Sequence, residues 1–287
     1  MLKASNKLMA DLERQPWGLW WSQARRLVRI EVRRNLFSWR ASWIYFLAFI
    51  PTFIIFVHWL VGSHQPSQIG EDTYVLAGIV QLYYIRLGVF FGCLGIFSRL
   101  IRGEMIERSL HFYLLSPVRR ELLLLCKFVA GSVSAVLLFG SAMIANFALM
   151  YAGFGAAGRD YIFNGPGLGQ LEAYLAIIVL ACLGYGAIFL LLSMIFRNPT
   201  PAAMLLLGWE AINPVMPSLL QKLSVASYLR HLMPVSVSAE GIFALLTVET
   251  EPVSGWAAAL GLLLLIAVVL SYSCYRMRTL EIRYTTE

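Results

Sequence analysis

Residues 173–196 read AYLAIIVLACLGYGAIFLLLSMIF and contain no charged side chain. A helix of this length is about 36 Å long, which exceeds the roughly 30 Å of hydrocarbon in a bilayer. Five further apolar segments are long enough to be candidates: residues 41–61, 74–101, 123–154, 202–220 and 256–275. The second half of 202–220 contains Asn213, Pro214 and Pro217, so a bent or broken backbone is expected there. The sequence therefore predicts an all-α integral membrane protein with six transmembrane helices.

The composition supports the same fold class. Hydrophobic residues make up 59% of the chain and the mean hydropathy is +0.70, whereas soluble domains contain roughly 45–50% apolar residues. We expect one membrane domain at residues 41–275, an N-terminal segment at residues 1–40 and a short tail at residues 276–287.

The distribution of basic residues predicts the orientation of the chain. Nineteen of the 23 lysines and arginines fall in the two terminal segments and in the second and fourth connections, and three fall on the opposite side. Because basic residues remain on the cytoplasmic side, both termini are expected to be cytoplasmic. This clustering beside apolar segments also argues against nucleic acid as a partner.

The segment from residue 17 to residue 40 has a helical pattern with an apolar side and a basic side. We expect an interfacial amphipathic helix that lies on the inner leaflet, with tryptophans at the interface and arginines on lipid phosphates. The alternative is a solvated helix that only sets the topology. The residues expected to contact lipid are Trp20, Trp21, Arg26, Arg29 and Arg33.

The connection between the second and third predicted spans, residues 98–127, starts with charged residues and ends near a Ser-Pro pair. Proline ends a helix at the preceding residue, so the pattern predicts a short cytoplasmic helix. Its exposed apolar cluster needs a protein groove or the lipid interface as a partner, unless the segment is a plain surface loop. The residues concerned are Glu104, Glu107, Leu110, Phe112, Tyr113, Leu114, Leu115, Ser116 and Pro117.

This connection resembles the one between the second and third helices of ABC-2 type transporter permeases. The matching features are Glu104 or Glu107, the pair Leu114 and Leu115, Ser116 and Pro117, Arg119 and Arg120, and Lys127 at the start of the third helix. The six-helix layout, the initial interfacial helix and the long external segment before the last helix are also similar to that family.

The resemblance implies the membrane-spanning permease subunit of an ATP-binding cassette exporter in a cell membrane, such as the bacterial inner membrane. In that family the short helix is a coupling helix that docks on a separate ATPase subunit. A second permease copy, or a related permease, completes the pathway.

Nothing in the sequence indicates that the chain is itself an enzyme. None of its four lysines is preceded by the phosphate-binding loop GxxxxGK, so ATP and Mg²⁺ are expected to bind the partner subunit. No catalytic residue, metal ligand or resident cofactor is predicted, because the histidines, cysteines and aspartates are scattered singly.

Polar residues within the apolar runs are candidates for a transport pathway, because ionisable groups in hydrocarbon are costly. They are Arg86, Glu210, Gln81 and Asn213. Arg86 and Glu210 lie at similar expected depths, so they form an ion pair or, alternatively, Arg86 extends to the interface and Glu210 hydrogen-bonds within its own bundle. These polar residues also leave two other functions open: an ion-coupled secondary transporter or an intramembrane enzyme.

Overall fold

The computed structural model describes residues 17–61, 68–104, 119–196, 198–213, 216–235 and 254–278. These ranges contain ten helices of four residues or more and no strand. The helices are α1 (Trp17–Phe37), α2 (Ser42–Val61), α3 (residues 69–103), α4 (Arg120–Ala152), α5 (Gly155–Phe163), α6 (Gly167–Ile195), α7 (Pro199–Ile212), α8 (Ser218–Gln221), α9 (Val225–Arg230) and α10 (Gly255–Arg278).

Five of these helices, α2, α3, α4, α6 and α10, are long and apolar enough to cross a membrane. The chain is therefore an all-α, multi-pass membrane protein, and five of the six predicted spans are confirmed as helices of membrane length. Helix α6 lies centrally and contacts α3, α4, α7, α9 and α10.

The predicted fifth span, residues 202–220, is broken after Ile212, close to the break that Asn213, Pro214 and Pro217 predict. Helix α7 ends at Ile212 after 14 residues, which is about 21 Å and too short to cross the hydrocarbon. Two short helices, α8 and α9, follow. Pro214 directly follows Asn213, the helical C-cap residue, and cannot continue α7 because it has no N–H group to donate to the preceding turn.

Helix α9 returns into the bundle. At its first residue, the Val225 side chain approaches Gly184, near the middle of α6. At its other end, Leu232 lies beside Gly255, the first residue of α10. Short helices and irregular backbone are tolerated at membrane depth only when protein surrounds them, and α9 packs against α3, α6 and α10.

A proline in α2 is compensated by a tyrosine of α3. Pro51 has no N–H group, so the carbonyl of Leu47 loses its helical partner. The Tyr83 hydroxyl donates a hydrogen bond of 2.6 Å to that carbonyl. Tyr83 lies in a π-helical stretch of α3, Ile79–Gly88, where backbone bonds span five residues.

Close packing of α3, α4 and α6 depends on glycine. The Phe97 ring of α3 lies against Gly131 of α4 and Gly186 of α6. A Cβ atom at Gly186 would lie 2.5 Å from this ring, and one at Gly131 would lie 2.7 Å from it. Small residues at these positions let the helices approach closely, as in other membrane bundles.

Replacing Gly186 by alanine should destabilise the bundle by about 1–3 kcal/mol, because the added methyl group overlaps the buried Phe97 ring. The matched control is Gly208→Ala in α7, where no atom lies within 4 Å of the added Cβ and helix propensity improves. Thermal unfolding of the detergent-solubilised protein measures both. Equal melting temperatures for the two variants would contradict this packing argument.

Candidate functional site

A cluster of four charged side chains joins three helices. The Lys127 ammonium of α4 lies 2.8 Å from Glu31 Oε1 of α1 and 2.8 Å from Glu104 Oε1, directly after α3. Arg34 of α1 lies 2.8 Å from Glu31 Oε2 and 2.9 Å from Glu104 Oε1. We call these four residues the charge cluster.

The charge cluster is deeply buried, because the Glu31, Glu104 and Lys127 side chains are each only 1% exposed. Arg34 is 41% exposed and forms the outer side of the cluster. Two carboxylates and two cations balance, so the buried group is neutral overall. Removing one member would leave an uncompensated buried charge, which is the costly case for such ion pairs.

Helix α1 supplies two members of the charge cluster because it runs alongside α4. At one end the Arg119 guanidinium lies 4.4 Å from the Trp20 ring centroid. At the other end the Asn35 side chain donates to Ser134 Oγ at 3.5 Å. Residue numbers increase in the same direction from the first contact to the second in both helices, so α1 runs parallel to α4 over about four turns.

The structure places α1 parallel to α4, and its expected position on the inner leaflet stays a prediction. Helix α4 has 33 residues and is about 50 Å long, roughly 20 Å more than the hydrocarbon requires. Helix α4 is therefore longer than one crossing needs, and α1 lies beside its first four turns. Of the residues expected to contact lipid, Trp21, Arg26, Arg29 and Arg33 are exposed, whereas Trp20 is partly covered by Arg119.

The charge cluster stands at the entrance of the predicted coupling helix. Glu104 is the last described residue before that segment, and its carboxylate contacts Arg34 and Lys127. The other predicted docking residues lie outside the described part of the chain: Glu107, Leu110, Phe112, Tyr113, Leu114, Leu115, Ser116 and Pro117.

The exit of the same segment is also attached to the bundle. Arg119 stacks over Trp20 of α1, as described above. Arg120 donates to the Arg278 carbonyl at 3.2 Å, and the Arg278 side chain bonds to Glu121. Residues on both sides of the segment at 105–118 are therefore attached to α1, and the exit side is additionally attached to the end of α10.

Glu210, near the end of α7, accepts hydrogen bonds from the start of α9. Val225 N donates to its Oε1 at 3.0 Å and Ala226 N to its Oε2 at 3.3 Å. The Ser224 hydroxyl also donates to Oε2. The first N–H groups of a helix have no partner within it, so this buried carboxylate satisfies them and attaches α9 to α7.

Arg86 and Glu210 do not form the direct ion pair considered from the sequence. They line one small cavity of about 30 Å³, together with Phe90 and Tyr185. The carboxylate is directed to α9, and the cation that acts on it electrostatically is Arg230 at the end of that helix. The structure agrees with the alternative interpretation, in which Glu210 hydrogen-bonds within its own bundle.

The two other pathway candidates have different surroundings. Asn213 is buried, and its side-chain amide donates to the Leu220 carbonyl at 3.4 Å, so it supports the turn between α7 and α8. Gln81 is half-buried within the π-helical stretch of α3. Neither side chain forms a hydrogen bond with Arg86 or Glu210 in the described part of the chain.

Glu31 and Arg34 were not identified as site residues from the sequence. Glu31 is the single acidic residue of an arginine-rich helix, which is the one local signal that could have drawn attention to it. Asn146 and Tyr84, by contrast, form the interhelical hydrogen bonds that the sequence predicts for polar residues within apolar runs: Asn146 donates to the Tyr84 hydroxyl at 2.7 Å and Tyr84 donates to the Ala48 carbonyl at 2.9 Å.

Replacing Lys127 by methionine should lower the free energy of unfolding by about 3–5 kcal/mol, because two buried carboxylates then face each other with one cation. Adding Glu31→Gln restores charge balance, so the double variant should be more stable than the single one. Thermal unfolding in detergent measures both, with Lys222→Met at an exposed site as the control. A double variant less stable than Lys127→Met would refute charge balance as the cause.

Replacing Glu210 by alanine should destabilise the protein by roughly 2 kcal/mol or more, since it leaves buried N–H donors of α9 without an acceptor. Glu172→Ala, at an exposed site on α6, is the matched control.

Exchanging the two charges in an Arg86→Glu, Glu210→Arg double variant should not restore the stability that either single substitution removes. Recovery of the wild-type melting temperature by this exchange would instead indicate direct pairing.

Comparison of the chain with protein-family models and with curated proteins finds no match. The resemblance to ABC-2 type permeases therefore depends on the connection at residues 98–127 and on the order of the membrane segments.

Proposed function

We propose that this chain is the membrane-spanning permease subunit of an ATP-binding cassette exporter, driven by a separate ATPase subunit that binds ATP and Mg²⁺. One observation carries the proposal beyond the sequence pattern. The chain is attached to α1 immediately before and immediately after the segment at residues 105–118, through Glu104 and Arg34 on one side and through Arg119 and Trp20 on the other.

Such attachments suit a force-transmitting element. A helix docked on a moving partner does work on the membrane bundle only if both of its ends are firmly connected to that bundle. Glu104 connects the entrance to α1 and α4 through buried ion pairs, which cannot separate without exposing charge to an apolar interior. A displacement of the segment is therefore expected to move α1 and the neighbouring ends of α3 and α4 together.

In this proposal the substrate path lies among α7, α8 and α9, away from the segment at residues 105–118. Helices α7, α8 and α9 are short, and α7 meets α9 through the Glu210 carboxylate rather than through a continuous helix. Interfaces between packed helices of this kind have discrete alternative arrangements, which a pump needs. A second copy of the chain, or a related permease, would complete the path in a cell membrane such as the bacterial inner membrane.

A tagged chain purified in mild detergent should retain a subunit whose sequence carries the GxxxxGK[ST] nucleotide loop. Replacing Leu114 and Leu115 by alanine should remove that subunit, because truncating central apolar anchors of an interface typically costs 2 kcal/mol or more. The measurement is the amount of ATPase subunit per permease, by quantitative mass spectrometry.

The control for this variant replaces Leu260 and Leu264 of α10, two exposed leucines of a membrane-spanning helix, by alanine. It removes the same apolar volume and should retain the ATPase subunit. The proposal fails if the wild type retains no such subunit, or if both leucine-pair variants retain it equally.

A further inference from the structure

An apolar groove runs between α1 and the first turns of α4. It has a volume of about 580 Å³, within the roughly 300–1,000 Å³ typical of ligand sites. Its walls include Trp20, Trp21 and Val28 from α1 and Leu125 and Val129 from α4. Trp21, Leu125 and Val129 are exposed, so described residues do not cover the groove.

Two arginines border this apolar groove. Arg25 and Arg29 both line it and are both exposed, and Arg25 lies 5.8 Å from the Trp21 ring centroid. No carboxylate of the described residues forms an ion pair with either one. A ligand for this groove must therefore combine a long apolar body with an anionic group near one side.

We propose that the groove is a binding site for one anionic phospholipid of the surrounding bilayer. The phosphate binds Arg25 and Arg29, and an acyl chain lies along Val28, Leu125 and Val129. Charge complementarity favours this occupant, as do tryptophans at the rim, which prefer the membrane interface. The proposal does not depend on ATP-driven transport, since it needs only a membrane protein with this groove.

A matched pair of arginines tests whether the site is specific. Arg26 and Arg33 lie on the same helix and are equally exposed, but they do not line the groove. Replacing Arg25 and Arg29 by alanine changes the net charge as much as replacing Arg26 and Arg33. A simple attraction between a basic helix and an anionic membrane would respond equally to both double variants.

The experiment is native mass spectrometry of the full chain with equal amounts of phosphatidylglycerol and phosphatidylcholine that carry the same acyl chains. The wild type and the Arg26→Ala, Arg33→Ala variant should retain phosphatidylglycerol preferentially. The Arg25→Ala, Arg29→Ala variant should lose that preference roughly thirtyfold, because two basic residues near a membrane surface contribute about one kcal/mol each and about 1.4 kcal/mol corresponds to a factor of ten. Leu125→Trp, which fills the groove without changing charge, should reduce retention of both lipids.

Three results would overturn the proposal. The first is an equal ratio of the two lipids on the wild type. The second is an equal loss of preference in the two double-arginine variants, which indicates non-specific attraction. The third is unchanged lipid retention by Leu125→Trp. If this variant also dissociates a dimer, the occupant of the groove is a second copy of the chain.

Discussion

Polar groups within hydrocarbon must find their partners inside the protein, because lipid tails donate and accept no hydrogen bonds. This constraint accounts for the main polar contacts of the bundle. The Lys127 ammonium lies between two carboxylates, the carbonyl freed by Pro51 receives the Tyr83 hydroxyl, and Glu210 accepts the first N–H groups of α9. Each contact fixes the position of one helix against another, which hydrophobic burial alone does not do because it has no direction.

The same constraint makes the charge cluster a mechanical connection. Lipid-facing apolar contacts can be exchanged for lipid at little cost, whereas a buried ion pair cannot be opened without leaving charge in a medium that does not solvate it. Helices α1 and α4 and the end of α3 therefore behave as one unit on the side where the segment at residues 105–118 is attached. The glycine contacts around Phe97 hold α3, α4 and α6 together deeper in the bundle.

The apolar pattern predicted the long helices, and the residues between residue 213 and residue 230 predicted a break and short helices after it. Residues 173–196 were expected to span the membrane, and they lie in α6, Gly167–Ile195, except for Phe196. Residues 202–220 passed the same test of apolar length, but the chain turns after Ile212. The depth argument brought Arg86 and Glu210 to one cavity, yet the partner of Glu210 was the backbone of α9, a six-residue helix too short to leave a periodic signal.

The sequence by itself determined the all-α class and the five membrane-length helices, because length and polarity of each segment alone decide whether it can cross a bilayer. Only the tertiary structure decided which charges meet. Glu31 and Lys127 are 96 residues apart, and nothing local selects Lys127 from the 23 basic residues of the chain. The choice follows from the packing of α1 along α4, which places the two side chains together where water does not reach them.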